Sequence, residues 1–357
     1  DRVFDREGAH PTWSRDQLNR WYSAEVAGVN FFTNVLTFYF EGDGVGGPPT
    51  LTVEPRVATQ ASWMTMDNAA EVVRGGQNTV WIARPQPANR FRAFGNVRRG
   101  TTARVHVAVH QPQLVFGYLL AERIASRGVR CGSGTDIADA VRLADADEDL
   151  TGAEPIAKVR TALNDALVRA NTRSQNLYTE ALIKRIGHDV TGDPGSWENG
   201  AAVIRMLLSE RLGPDHATST AIADGSGLSR GNRVTPATLT AWLGEMLDQD
   251  ARTRWAFVGS LPTPGVGTLR DRFRDTALEG EVRAKTGTIG GVRCLSGYVF
   301  GGANRSQDAV AFSVLINDVE GGRAVRAAKR LHEEIVHEID AWLADRAASE
   351  PIGEYGG

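Results

Sequence analysis

The stretch Val282-Arg-Ala-Lys285-Thr286-Gly287-Thr288-Ile-Gly-Gly-Val292 decides how the rest of the chain is read. It opens like a buried strand and ends in small residues. A lysine between apolar neighbours, followed by a hydroxyl and a glycine, suits a strand edge that holds an anion. The ammonium supplies charge, the hydroxyls donate hydrogen bonds, and the glycine lets a ligand approach the backbone. A Lys-Thr-Gly triplet alone carries little information, so its surroundings must decide. The chain holds only four lysines, Lys158, Lys184, Lys285 and Lys329. Any lysine-dependent motif therefore has four places to stand.

Outward from this stretch, residues 282–285, 294–300 and 309–316 are predicted as three strands, the last two joined by a hairpin over 301–308. A helix is predicted from Arg323 to about Leu343, with Ala324, Ala327, Ala328, Leu331, Ile335 and Ile339 along its apolar side. Upstream, Pro155 suits a first helical turn, with Ile156, Val159, Leu163 and Leu167 on one face. A break at 171–174 leads to a second helix through Leu177, Ala181, Leu182 and Ile186, closed by Gly187. Further helices are expected over 197–212 and from Thr235-Pro236 through Trp242, Leu243 and Leu247. The front of the chain reads as a strand-like run at 29–40 and as short strands that alternate or nearly so at 50–53, 79–82, 90–94 and 103–109, followed by a helix opening at Pro112 and ending by Gly128. Trp13, Trp21 and Tyr22 read as packing residues. Residues 132–155 are loop-like and acidic (Asp136, Asp139, Asp145, Asp147, Glu148, Asp149) and mark a domain boundary. They lack the glycine-centred pattern and closing glutamate of a calcium loop. The expected division is 1–137 as β-rich accessory domains, 138–347 as a second domain, and 348–357 as a tail.

Composition bounds the function. The 357 residues suffice for two domains; 41% apolar and 23% charged content is that of a soluble globular protein. A formal charge of −3 gives no reason to expect nucleic acid or an anionic membrane as partner. No run of 18 apolar residues is present. Cys131 and Cys294 are expected as buried free thiols rather than a disulfide framework. His106 and His110 have no Cys, Asp or Glu beside them at metal-ligand spacing, and no metal or cofactor is expected. The chain begins with Asp1 and no secretory signal, which reads as a cut end.

Ser174-Gln175-Asn176 lies between two predicted helices, where both Ser and Asn also serve as helix caps. Ser229-Arg-Gly-Asn232, inside the glycine-rich loop 224–230, has nearly the same composition. From the residues alone both remain candidates. Taken together, Ser174-Gln-Asn-Leu-Tyr-Thr-Glu-Ala-Leu182, Asp224-Gly-Ser-Gly-Leu-Ser-Arg-Gly-Asn232-Arg-Val-Thr-Pro236, Leu261-Pro-Thr-Pro-Gly-Val-Gly-Thr-Leu269 and Ala284-Lys-Thr-Gly-Thr-Ile-Gly-Gly-Val292 resemble the penicillin-recognising serine acyltransferases. More narrowly, they resemble the D-alanyl-D-alanine carboxypeptidase/endopeptidases of peptidase family S13, the penicillin-binding protein 4 type. Phe91-Arg-Ala-Phe-Gly95 and the 107–128 strand-helix unit resemble that family's inserted accessory domains more loosely.

The resemblance implies an α+β multi-domain chain. Its core would be a β-lactamase/transpeptidase-like α/β sandwich with an antiparallel sheet, incomplete at its N-terminal part, plus β-rich accessory insertions. It implies serine-type acyl transfer on peptidoglycan stem peptides outside the cytoplasmic membrane, without a cofactor, and β-lactams as inhibitors. It also chooses Ser174 over Ser229, because the family's Ser-x-Asn lies well upstream of its lysine. Ser174 would relay a proton to the leaving D-alanine, and Asn176 would bond the substrate amide. Lys285 would raise the local positive potential and hold the site's hydroxyls. Thr286 and Thr288 would grip the terminal carboxylate, while Gly287 lets the backbone N–H of Thr288 form half of an oxyanion hole.

One element departs from the pattern. The family's nucleophile stands in Ser-x-x-Lys, yet Pro155, Ala181, Val282 and Arg326 stand three residues before the four lysines. Truncation ahead of Asp1 is the expected reason, and the chain as given is expected not to acylate alone. The alternative is a degenerate homologue that binds cell-wall peptides without cleaving them. A class A β-lactamase fits less well, because the long β-rich front has no place in it.

Overall fold

The computed structural model describes residues 2–57, 61–129, 141–145, 147–154, 156–274, 277–301 and 308–349. They form two compact units. The first comprises Asp1–Pro155, Thr179–Ala201 and Asp224–Ser229; the second comprises Ile156–Tyr178, Ala202–Ala223 and Arg230–Gly357.

The first unit is built on short strands. β1 (Val35–Glu41) pairs antiparallel with β2 (Thr50–Glu54) on one side and β8 (Thr102–Ala108) on the other. From Leu36 onward it alternates: Leu36, Phe38 and Phe40 are buried, while Thr37 and Tyr39 face outward. A second sheet orders β3 (Thr65–Asn68), β6 (Arg90–Phe94) and β5 (Trp81–Ala83), and β4 (Glu71–Val73) pairs with β7 (Asn96–Arg98). Helix α1 (Pro112–Ala125) starts with proline at its first turn and inserts Val115 and Leu119 into the core of Phe38, Phe40, Phe91 and Val97. Each such aliphatic side chain contributes roughly 1.5–3 kcal/mol of burial. The two histidines take separate partners: His106 meets Thr37 at 2.9 Å and His110 meets Glu25 at 2.8 Å.

The second unit holds the sheet of the opening stretch, with strand order β11-β10-β9. β9 (Val282–Ile289), β10 (Gly291–Phe300) and β11 (Ala309–Val319) are consecutive antiparallel strands, longer than the sequence suggested. One face carries Val282, Ala284, Leu295 and Val299 against α8 (Gly321–Ser349). The other carries Tyr298 and Phe300 against α6 (Pro236–Leu247) and α7 (Ala251–Val258). Helix α6 begins where expected, with Thr235 capping the Thr238 N–H. Helix α7 was not read from sequence, although Asp250 caps its first turn.

Three expectations are corrected. The helix expected from Pro155 begins instead at Leu163, as α2 (Leu163–Arg173); Ile156 and Val159 are exposed, and Ala162 is extended. With no surface to cover, the apolar spacing of 156–162 does not make a helix. Gly187 does not close its helix: α3 (Asn176–Thr191) runs through it, and the chain turns at Gly192 with φ +78°. A Cβ at Gly187 would collide with Asn199 and the backbone of Gly200, at the start of α4 (Trp197–Leu212), so this glycine marks a close approach. On α8 the buried stripe is Ala328, His332, Val336, Asp340 and Leu343. Of the expected stripe, Ala328 lies there; Leu331, Ile335 and Ile339 lie one residue round and, with Val310 and Trp342, line an open groove of about 750 Å³, Ile339 also packing against the core of Val336 and Leu343. Cys294 carries a free thiol; Cys131, Asp136, Asp139 and most of the 301–308 connection lie outside the described residues.

Candidate active site

One loop brings the predicted site residues together within the second unit. Residues 260–269 hold the end of α2 and the edge of β9 at once. Asn171 of α2 donates to Ser260 Oγ at 2.7 Å, and Gly267, at φ +54°, passes so close to the Thr172 carbonyl that a Cβ there would clash. On the other side the Ala284 N–H of β9 donates to the Pro262 carbonyl at 3.1 Å. The Leu261–Leu269 stretch is thus a clamp, and its glycine is needed for the approach.

The clamp sets Ser174 opposite Lys285. Ser174 ends α2 in the left-handed region, at φ 50° and ψ 45°. That conformation is uncommon for serine and breaks the chain between α2 and α3. The Lys285 Nζ donates to Ser174 Oγ at 2.5 Å and to the Thr286 carbonyl at 2.6 Å. No carboxylate pairs with Lys285 among the described residues. Burial without a counter-charge pulls its pKa down to about 8. Asn176 follows two residues later at the start of α3, half-buried.

The Thr-Gly-Thr segment is placed by the ladder. β9 is an edge strand and pairs with β10 from Val282 to Ile289 without a register shift. Since the Ala284 N–H points away from β10, to Pro262, the alternation of an antiparallel pair turns the N–H groups of Thr286 and Thr288 to the same open edge. The Thr286 carbonyl faces that way too and is the one Lys285 reaches. Lys285 and Gly287 share one face of the pleat; the Thr286 and Thr288 hydroxyls lie on the other. Arg293, which sequence reading did not single out, is the cross-strand partner of Thr288, and its guanidinium donates to the Ile289 and Val292 carbonyls at 2.8 and 2.6 Å. Only the hairpin register reveals this neighbour. Arg230 steadies the same hairpin by donating to the Gly290 carbonyl at 2.7 Å.

The second serine candidate is placed differently. In the first unit Ser229 is 2% exposed, 2.6 Å from Thr12 Oγ1, and its N–H donates to Asp224. Asp224 also accepts from Gly227 and from the Trp13 indole. The Asp224–Ser229 loop is internally bonded, and its serine hydroxyl is covered.

A mobile hydroxyl against an amine of lowered pKa, beside backbone N–H groups on an open strand edge, can shuttle a proton and receive an oxyanion. The model of the D-Ala-D-Ala carboxypeptidase 3 (S13) family matches residues 1–338. The chain belongs to the S13 family. It is 32% identical over 336 residues to a D-alanyl-D-alanine carboxypeptidase of an Actinomadura species, covering 90% of this chain and 59% of that relative. The chain therefore spans less than two thirds of that S13 protein. In structure it resembles penicillin binding protein 4 (dacB) from Haemophilus influenzae, with a TM-score of 0.68 at 18% identity, covering 94% of this chain and 73% of the other. The same protein in complex with a β-lactam superposes at a TM-score of 0.59 over 88% of this chain and 72% of that one. The fold is the mixed α/β architecture expected from sequence, with the β9–β11 sheet antiparallel and the β3–β6 and β4–β7 pairs parallel. Among the described residues no helix is long and apolar enough to cross a membrane.

Proposed function

We propose that this chain carries the Ser-x-Asn and Lys-Thr-Gly half of a serine D-Ala-D-Ala carboxypeptidase or endopeptidase that acts on peptidoglycan stem peptides outside the cytoplasmic membrane. The observation that carries this reading is the hydrogen bond between Lys285 and Ser174, made at an open strand edge by an amine with no carboxylate partner among the described residues. Ser174 moves a proton to the leaving D-alanine, with Lys285 holding the hydroxyl oriented and the local potential positive. Asn176 bonds the substrate amide. The Thr288 N–H stabilises the oxyanion, and the open backbone edge of β9 at Thr286, Gly287 and Thr288 seats the terminal carboxylate beside the Lys285 ammonium. β-Lactams bind here through the carboxylate they share with the dipeptide. The division into 1–137, 138–347 and a tail from 348 belongs to the same proposal, and limited proteolysis in the acidic 141–154 segment tests it.

No serine stands three residues before any lysine of the chain. A fluorescent penicillin therefore leaves the chain as given unlabelled, and a Ser-x-x-Lys segment from the Actinomadura relative, fused ahead of Asp1, restores covalent labelling. Labelling of the chain alone would show another nucleophile. Failure of a folded fusion to label would count against the enzymatic reading. That same lack of Ser-x-x-Lys favours one second reading, a non-catalytic homologue that binds cell-wall peptides. It predicts reversible binding of a D-Ala-D-Ala peptide with no turnover in any extended form of the protein.

A further inference from the structure

The Phe91-Arg-Ala-Phe-Gly95 stretch has no part in the chemistry above, yet it builds an ordered surface in the first unit. On the β3-β6-β5 sheet, Phe91, Ala93 and Ile82 face the core. The alternate positions face outward. Phe94 lies directly across from Trp81, and the two rings stack with centroids 4.9 Å apart and planes 23° from parallel. The Arg92 guanidinium covers the Phe94 ring at 5.1 Å and pairs with Asp67 on the neighbouring strand at 3.0 Å. Arg90 continues the row, exposed.

The platform is held in place from behind. Gly95, at φ +89°, approaches the Thr79 carbonyl so closely that a Cβ would clash. The Thr79 N–H donates to Asn96 at 2.8 Å, and the Asn96 N–H to Thr79 Oγ1 at 3.0 Å. These bonds fix the approach to β5 two residues before Trp81.

A cross-strand aromatic pair stabilises a sheet by itself, and the first unit shows what a self-contained one looks like. On β1 the Tyr39 ring is capped by Arg104 and its hydroxyl donates to Glu54 at 2.7 Å. Trp81 is different. It is 51% exposed, its outer ring face carries no partner, and its indole N–H has no hydrogen bond among the described residues. A flat, electron-rich ring face beside a donor–acceptor row suits a ring that is apolar on its face and polar on its rim.

We propose that this face binds the pyranose rings of a glycan strand. Trp81 stacks on the C–H face of one sugar, while Arg92, Asp67 and Arg90, beyond Phe94, bond hydroxyl, amide or carboxyl substituents of further sugars along the strand. The sugar recognition follows from the surface alone; assigning the glycan to the cell wall rests on the function proposed above. Two probes separate these claims: a soluble β-1,4-linked N-acetylglucosamine oligomer, and cell-wall glycan strands stripped of their stem peptides. Binding to the whole 357-residue chain is read by calorimetry and by the Trp81 indole signal in NMR.

The chain is expected to bind both probes. Trp81→Ala weakens binding roughly tenfold, Trp81→Phe weakens it less, and Trp255→Ala, a similarly exposed tryptophan of the second unit, leaves it unchanged. Unchanged melting of Trp81→Ala confirms that the variant is folded. Equal affinity of the chain and Trp81→Ala, or no binding to either probe, overturns the proposal. Binding to the oligomer but not to the cell-wall glycan overturns the cell-wall assignment alone. Neither glycan result bears on penicillin labelling, so the two readings fail separately.

Discussion

Two lysines of this chain, Lys184 and Lys285, are withdrawn from water and treated in opposite ways. Lys184, on α3 in the first unit, is fully buried. Its ammonium reaches Asp5 at 2.5 Å and the Glu7 carbonyl at 2.6 Å, and lies 3.8 Å from the centre of the Trp197 ring. Burial lowers its pKa, and the hydrogen bond and charge of Asp5 oppose that shift. Around it the fully buried Glu180 accepts from Trp197, Gly225 and Ser226. Burial and the nearby Asp224 push Glu180 up to about 7. Lys285, in the second unit, meets a hydroxyl and a carbonyl instead of a carboxylate. Desolvation with a counter-charge gives a structural tie, whereas desolvation without one gives an amine ready to exchange protons.

The largest test of that contrast is to remove each charge. Lys184→Met leaves Asp5 without its partner and is expected to lower stability by about 3 kcal/mol, measured by urea unfolding. Lys285→Met breaks no ion pair and is expected to change stability by less than about 1 kcal/mol. Equal losses would erase the distinction.

Asp340 of α8 accepts the Glu279 and Gly280 N–H groups just ahead of β9, both at 2.8 Å. Asp340→Ala strands two donors and should cost about 2 kcal/mol in the same assay. Gly267→Ala strains the positive-φ clamp and is expected to cost about 1–3 kcal/mol. Because it loosens the loop that sets Ser174 against Lys285, it should also move the Lys285 titration toward the ordinary lysine range.

The smallest effect concerns His332, buried in α8 with neither ring nitrogen hydrogen-bonded among the described residues. Burial, and secondarily Arg272, lower its pKa from 6.5 to about 4. As pH falls from 6.5 to 4 the unfolded chain takes up a proton that the folded chain refuses, so stability drops across that window. His332→Leu should add about 1 kcal/mol at neutral pH and flatten the acid limb. An unchanged limb would show that the ring finds a partner in solution.

Particular residues show what could be read in advance. The period-two strands and the Lys-Thr-Gly edge were legible because their signal is local: Leu36, Phe38 and Phe40 alternate, and Thr235 precedes Pro236. The α8 stripe was misread by one position, about 100° on a helix. Its true face includes His332 and Asp340, and Asp340 is buried for backbone partners about 60 residues upstream. Lys184 escaped notice for a similar reason. Its partner Asp5 is 179 positions away, and Ala-Leu-Ile-Lys-Arg reads as a helix with a solvated lysine. Ser174 was indistinguishable from Ser229 by composition. The family resemblance chose Ser174 by its distance from the lysine, and burial and the 260–269 clamp, neither of which is written in a short motif, separate the two in the structure.

The direct test of the site is the titration of Lys285 itself. With four lysines in the chain, ¹³C-labelled lysine resolves each Cε signal in NMR, and Lys285→Arg assigns the one in question. The account predicts a midpoint near 8 for Lys285 that shifts when Ser174 becomes alanine. A midpoint near 10.5, indifferent to Ser174→Ala, would mean that the amine stands in water and that the two side chains do not share a site.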